Sequence, residues 1–116
     1  MATANVVLED SYREESMPAY VVLDIEVTDA EAFAKYKELG PPAVAAYGGR
    51  YLARGGKVET LEGSWTPSRL VILEFPTVES GRAWWASAEY GPAKALRQAC
   101  ARTELLLIEG VSPVPR

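Results

Sequence analysis

Ala19 to Val27 reads AYVVLDIEV, and its alternation decides the fold. Ala19, Val21, Leu23, Ile25 and Val27 form one apolar face; Tyr20, Val22, Asp24 and Glu26 form the other. A period of two is the mark of a strand with one face toward a core. Downstream, Thr28 or Asp29 is placed to cap a helix, because a side-chain oxygen there accepts an early backbone N–H. The helix AEAFAKYKEL then carries Phe33, Tyr36 and Leu39 at helical spacing. Gly40-Pro41-Pro42 predicts an interruption, since proline cannot donate the next helical bond. A second helical piece runs to Tyr47, and Gly48-Gly49 ends it.

Arg50 to Arg54 reads as a short strand with Arg50, Leu52 and Arg54 on one face. Gly55-Gly56 allows a bend or bulge, Lys57 to Leu61 reads as extended chain, and Gly63 to Ser68 as a turn. Leu70 to Phe75, LVILEF, is a buried strand that Pro76 ends. Thr77 caps a second helix, which carries Ala83, Trp84, Ala86 and Ser87 and is expected to break near Gly91-Pro92. It resumes through Leu96 to about Ala101, and Thr103 to Glu109 is the last strand. The order β-α-β-β-α-β predicts an α+β, ferredoxin-like domain over residues 17–110, with four antiparallel strands and both helices on one face. Residues 1–16 read as a flexible or surface-packed extension, and 111–116 as a tail.

Helices on one face leave the other face bare. That face carries Val22, Leu52, Leu70 or Val71, and Leu105 or Leu106. So much apolar surface predicts a partner, and a homodimer packed sheet to sheet is the natural one.

Composition narrows the chemistry. The 116 residues hold no histidine and one cysteine. No intrachain disulfide is available, and histidine-ligated haem, imidazole zinc sites and Ser-His-Asp or Cys-His mechanisms are excluded. The expectation is a cofactor-free domain whose acid-base groups are carboxylates, phenols, lysines or the thiol. Cys100, beside Ala99 and Ala101, reads as a small buried residue. A net charge of -4 argues against nucleic acid as a partner. No signal peptide and no membrane-spanning run appears, so a cytoplasmic location is expected. YGGRYLARGG, at Tyr47 to Gly56, lacks the lysine-serine or lysine-threonine ending of a phosphate loop.

Several words together resemble a known family: YGGRYLARGG, LEGSW, LVILEFPT and AWWASAEY, followed by Arg97 and a closing LLLIEG. In that order, from about Pro18 to Gly110, they resemble domain of unknown function 1330, within the dimeric α+β barrel superfamily. The resemblance implies a ferredoxin-like subunit and a dimer whose two sheets form a barrel. It implies no activity.

Within this frame each candidate residue has two readings. Arg54 binds a ligand carboxylate through its planar fork, or it pairs with Glu74 or Glu62. Glu74 acts as acid or base in apolar surroundings, or it is a cross-strand partner of Arg50, Arg54 or Arg69. Trp65, Trp84, Ser87 and Tyr90 line a pocket over Arg54 and Arg97, with Tyr90 donating to an oxyanion. Otherwise the tryptophans fill core or interface, Tyr90 bonds to backbone, and Ser87 caps the second half of the broken helix. The first set of readings describes a cofactor-independent enzyme, or a non-catalytic sensing module, for a small anionic or carbonyl metabolite. The second describes a structural homodimer.

Overall fold

A computed structural model describes residues 17–112. The extension read at residues 1–16 and the end of the tail lie outside the described residues. The elements are β1 (Ala19–Val27), α1 (Ala30–Ala46), β2 (Arg50–Arg54), β3 (Leu70–Phe75), α2 (Val78–Ala86), α3 (Gly91–Cys100) and β4 (Ala101–Glu109). The sheet is antiparallel in the order β2-β3-β1-β4. This is the ferredoxin-like arrangement, with the second helix in two pieces.

The alternation read in β1 is the observed burial. Ala19, Val21, Leu23 and Ile25 are buried under the helices together with Val71, Leu73 and Phe75. Phe33, Ala43 and Val44 from α1, Trp84 from α2 and Ala93 from α3 close over them. Each large apolar side chain so buried contributes about 1.5–3 kcal/mol relative to exposure. On the open face the register selects Leu70 over Val71 and Leu106 over Leu105.

One local expectation is corrected and two are refined: Gly55 does bend, and the second helix does break next to Gly91-Pro92. First, α1 is not interrupted: it runs unbroken through Pro41 and Pro42. Pro41 removes the N–H that would bond the carbonyl of Lys37 four residues earlier. Arg54 supplies the missing donor, its Nη2 lying 2.6 Å from that carbonyl oxygen. Pro42 orphans the carbonyl of Glu38 in the same way, but Glu38 is exposed, so that loss costs little.

Second, β2 bulges at Leu52, not at the glycines. Arg50 pairs with Glu74 and Tyr51 with Leu73, but Ala53 pairs with Ile72 and Arg54 with Val71. The extra residue turns the strand over. Arg54 therefore faces the helices while Arg50 faces away.

Third, the second helix breaks before Gly91-Pro92. The break is Ser87 to Tyr90, and the proline sits in the first turn of α3, where a missing N–H costs nothing. β4 follows α3 directly from Ala101.

A cationic cleft lined by phenols

The site grows from the two interruptions just described. In α1 the buried spacing places Phe33, Tyr36 and Gly40 toward the sheet and α3. In α3 the buried residues are Ala93, Arg97 and Cys100, so Arg97 occupies a core position of an otherwise apolar stripe. It is 3% exposed. The break at Ser87 to Tyr90 turns Tyr90 inward, where it is fully buried. Ser87 holds this turn: its Oγ accepts from the Tyr90 backbone N–H at 3.0 Å and donates to the Trp84 carbonyl at 2.8 Å.

These side chains meet. The hydroxyls of Tyr36 and Tyr90 are 2.7 Å apart, and Arg97 Nε donates to the Tyr90 oxygen at 3.3 Å. Trp84 packs on Tyr90 at a centroid separation of 4.2 Å, and Phe75 backs Trp84 at 5.2 Å. Tyr51 enters from β2. An added Cβ at Gly40 would lie 3.2 Å from its hydroxyl, so the glycine is what lets the phenol reach α1. Arg54 stacks over Tyr51 at 4.6 Å.

Burial pushes the Tyr36 phenol far above its ordinary range, and the neighbouring Tyr90 adds to the rise. Burial also raises Tyr51, with Arg54 pulling the other way. These phenols are thus neutral donors at physiological pH, not bases. Arg97 has no carboxylate partner among the described residues; its single hydrogen bond there is the one to Tyr90. A guanidinium has five N–H donors, so four remain for something else. No group of three or more His, Cys, Asp or Glu suited to a metal ion occurs among the described residues.

The structure brings Tyr90, Trp84 and Arg97 together, with Ser87 behind them and Arg54 at the rim. It separates Glu74 and Trp65 from them. Glu74 stands on the opposite face of the sheet, 2.7 Å from Arg50 Nε. Strand alternation puts it there, because its neighbours Leu73 and Phe75 face the helices. Trp65 is 62% exposed in the β2–β3 connection, where its indole N–H donates to Asp24 at 3.2 Å. Asp24 belongs to the open face of β1, which carries Trp65 away from the cleft. Tyr36 and Tyr51 were missed as site residues. The available signal was a tyrosine at a core position of α1, since a buried hydroxyl requires a partner.

The fold is a ferredoxin-like α+β domain, and under its helices Arg97 meets a cluster of phenols with no carboxylate partner among the described residues. Within that class, the family model described as Domain of unknown function (DUF1330) matches residues 18–111, and the chain belongs to that family. Among solved structures it is similar to RPA0582, a protein of unknown function from Rhodopseudomonas palustris. The two share 19% identity over 97% of this chain and 94% of that chain, with a TM-score of 0.67. The methylated form of RPA0582 gives 19% identity over 96% and 93%, with a TM-score of 0.68. A conserved protein of unknown function and possible oxidoreductase from Bacteroides thetaiotaomicron shares 21% identity over 82% of this chain and 98% of that chain, with a TM-score of 0.52. At such identities the likeness is one of fold. No curated protein matches the chain.

Proposed function

We propose that the chain binds a small anionic or carbonyl metabolite in the cleft between α1, α3 and β2, without a cofactor. Arg97 meets the anionic or carbonyl oxygen of the ligand, one hydroxyl of the bonded Tyr36–Tyr90 pair donates to it while the other donates within the pair, and Trp84 forms an apolar wall. The observation that carries this reading is the burial of Arg97 without a carboxylate partner among the described residues. Removing a cation from water costs several kcal/mol unless an opposite charge and hydrogen bonds compensate. An anionic ligand supplies both.

The pairing of Glu74 with Arg50 favours a binding or sensing module over general-base catalysis, since it leaves the cleft with neutral phenols alone. Turnover by this site would rest on Tyr90 and Tyr36 as hydrogen-bond donors to a developing oxyanion. No described helix is long and apolar enough to cross a membrane, and we place the protein in the cytoplasm.

The test is a thermal-shift screen of small acids and ketones on wild type and Arg97→Met. A ligand at about a hundredfold excess over its Kd stabilises the fold by about 2.7 kcal/mol. The expected result is a hit with wild type that vanishes in a variant still folded without ligand. A wild type without hits, together with a variant that unfolds, would make Arg97 a structural residue and remove the site.

The partner is a second copy. Leu52, Leu106 and Ile108 lie on the open side of the sheet at 46%, 68% and 57% exposure. Sheet-to-sheet association covers them. Sedimentation equilibrium is expected to give a dimer for wild type and a monomer for Leu106→Glu; a monomeric wild type refutes the interface.

A further inference from the structure

Arg54 and Arg69 are diagonal neighbours across the β2–β3 pair. Arg54 stands opposite Val71, and Arg69 lies two residues before Val71 on the same, helix-covered face. Their contacts agree with that placement. Arg54 reaches the Lys37 carbonyl in α1, and the Arg69 guanidinium lies 5.4 Å from the centre of the Phe33 ring, also in α1. Like charges on such diagonals are within reach of each other and repel. Neither arginine has an ion-pair partner among the described residues. Asp24 meets Arg69 only through the backbone N–H, at 3.4 Å, and gives its carboxylate to Ser68 and Trp65 on the open face. Arg69 Nε is buried and makes no hydrogen bond.

Gly55 belongs to this arrangement. Its φ is +70°, and the place of its missing Cβ is taken by the Arg69 guanidinium. The backbone therefore gives way to a cation that has no ion-pair partner among the described residues. From Arg69 a line of contacts leads into the cleft: Phe33 to Tyr36 at 5.4 Å between centroids, Tyr36 to Tyr90 by hydroxyl contact, and Tyr90 to Arg97.

We propose that Arg54 and Arg69 form a second anion subsite beside Gly55, and that the ligand carries two acidic groups, one for Arg97 and one for this pair. This rests on the reading of the cleft as an anion site. It narrows the ligand from small acids in general to dianions, with dicarboxylates first because the guanidinium fork matches a planar carboxylate.

The experiment is calorimetric titration with succinate, glutarate and adipate against butyrate, pentanoate and hexanoate, using wild type, Arg69→Met and Arg97→Met. Wild type is expected to bind one diacid at least about tenfold more tightly than its matched monoacid, the factor that about 1.4 kcal/mol of extra binding gives. Arg69→Met erases this preference and leaves monoacid affinity unchanged, while Arg97→Met weakens both. Gly55→Ala, whose Cβ displaces the guanidinium, reproduces Arg69→Met. Should Arg69→Met fail to fold, Arg69→Lys keeps the charge and is expected to reduce the preference without erasing it. Equal binding of diacids and monoacids to wild type overturns the second subsite but leaves the Arg97 site standing. Absence of binding by either series, with Arg97→Met indistinguishable from wild type, overturns the anion site itself and the inference with it.

Discussion

The two faces of the sheet treat arginine in opposite ways. On the open face Arg50 lies 2.7 Å from Glu74, and Arg102 lies 3.1 Å from Glu26. On the covered face Arg54 and Arg69, with Arg97 from α3, have no carboxylate partner among the described residues. Solvation would lead one to expect the reverse. Exposed guanidinium groups are well hydrated and gain little from a partner, whereas buried ones need one. Of the three covered-face arginines only Arg97 is fully buried, Arg69 is partly buried and Arg54 is exposed, so the cost of an unpaired charge falls chiefly on Arg97. On the proposed reading the covered face awaits a ligand, while among the described residues the open face pairs Arg50 and Arg102 and leaves apolar side chains exposed.

The largest effect that separates the faces is expected at alkaline pH. Burial holds the Tyr36 phenol far above its ordinary range. In the unfolded chain it ionises near 10, while in the folded protein it stays neutral. The folded state then binds the extra proton. Stability is full below about pH 10 and falls as pH rises beyond it, by up to about 1.4 kcal/mol per pH unit for one such group. Denaturant unfolding of wild type and Tyr36→Phe between pH 9 and 12 isolates this contribution by difference. The variant is expected to show the flatter curve. Parallel curves would mean that Tyr36 is as solvated as a surface residue, and the contrast between the faces would fail.

A smaller effect separates Arg54 from the other covered arginines. Part of its fork is already engaged by the carbonyl that Pro41 orphans. Arg54→Ala is expected to cost about 1 kcal/mol, the ordinary worth of one hydrogen bond. In a Pro41→Ala background the backbone regains its own donor for Lys37, so the same substitution costs less. The remainder reflects the lost contact with Tyr51. A double-mutant cycle in chemical denaturation reads the difference. Strict additivity would sever Arg54 from the continuity of α1.

That example also explains what was legible in the sequence. The four strands and their order followed from alternation, because AYVVLDIEV and LVILEF have a core on one side and must point every second residue at it. The continuity of α1 was not legible. The donor that repairs it comes from a strand 17 residues away, and local rules for proline see only the loss. The bulge at Leu52 was hidden for a related reason. Gly55-Gly56 drew the bend toward itself, although the strand turns over earlier and Gly55 serves to admit Arg69. Arg97, Tyr90 and Trp84 were legible as a group, and the structure brings them together. Tyr36 and Tyr51 were not, since a tyrosine at an apolar position counts as core until its hydroxyl is seen to face another polar group. At Glu74 the structure shows the cross-strand pairing with Arg50 that was one of its two readings. Its carboxylate in an apolar strand suggested chemistry, but counting by twos from Phe75 already placed it on the far side of the sheet.

The smallest effect is expected at that residue, and it is the sharpest check on which face holds the site. Arg50 is 71% exposed and Glu74 22%, so their ion pair is largely screened. Glu74→Gln keeps the shape and one acceptor oxygen, and its effect on stability is expected to stay within about 0.5 kcal/mol. Ligand binding should not change, because the sheet itself lies between Glu74 and the cleft. Measured with the same carboxylate probes as Arg97→Met, Glu74→Gln serves as the control from the opposite face. Loss of binding in Glu74→Gln, with Arg97→Met unaffected, would invert the comparison. The space enclosed between two sheets would then hold the ligand, and the carboxylate-free cleft would be a packing arrangement whose cations have no use.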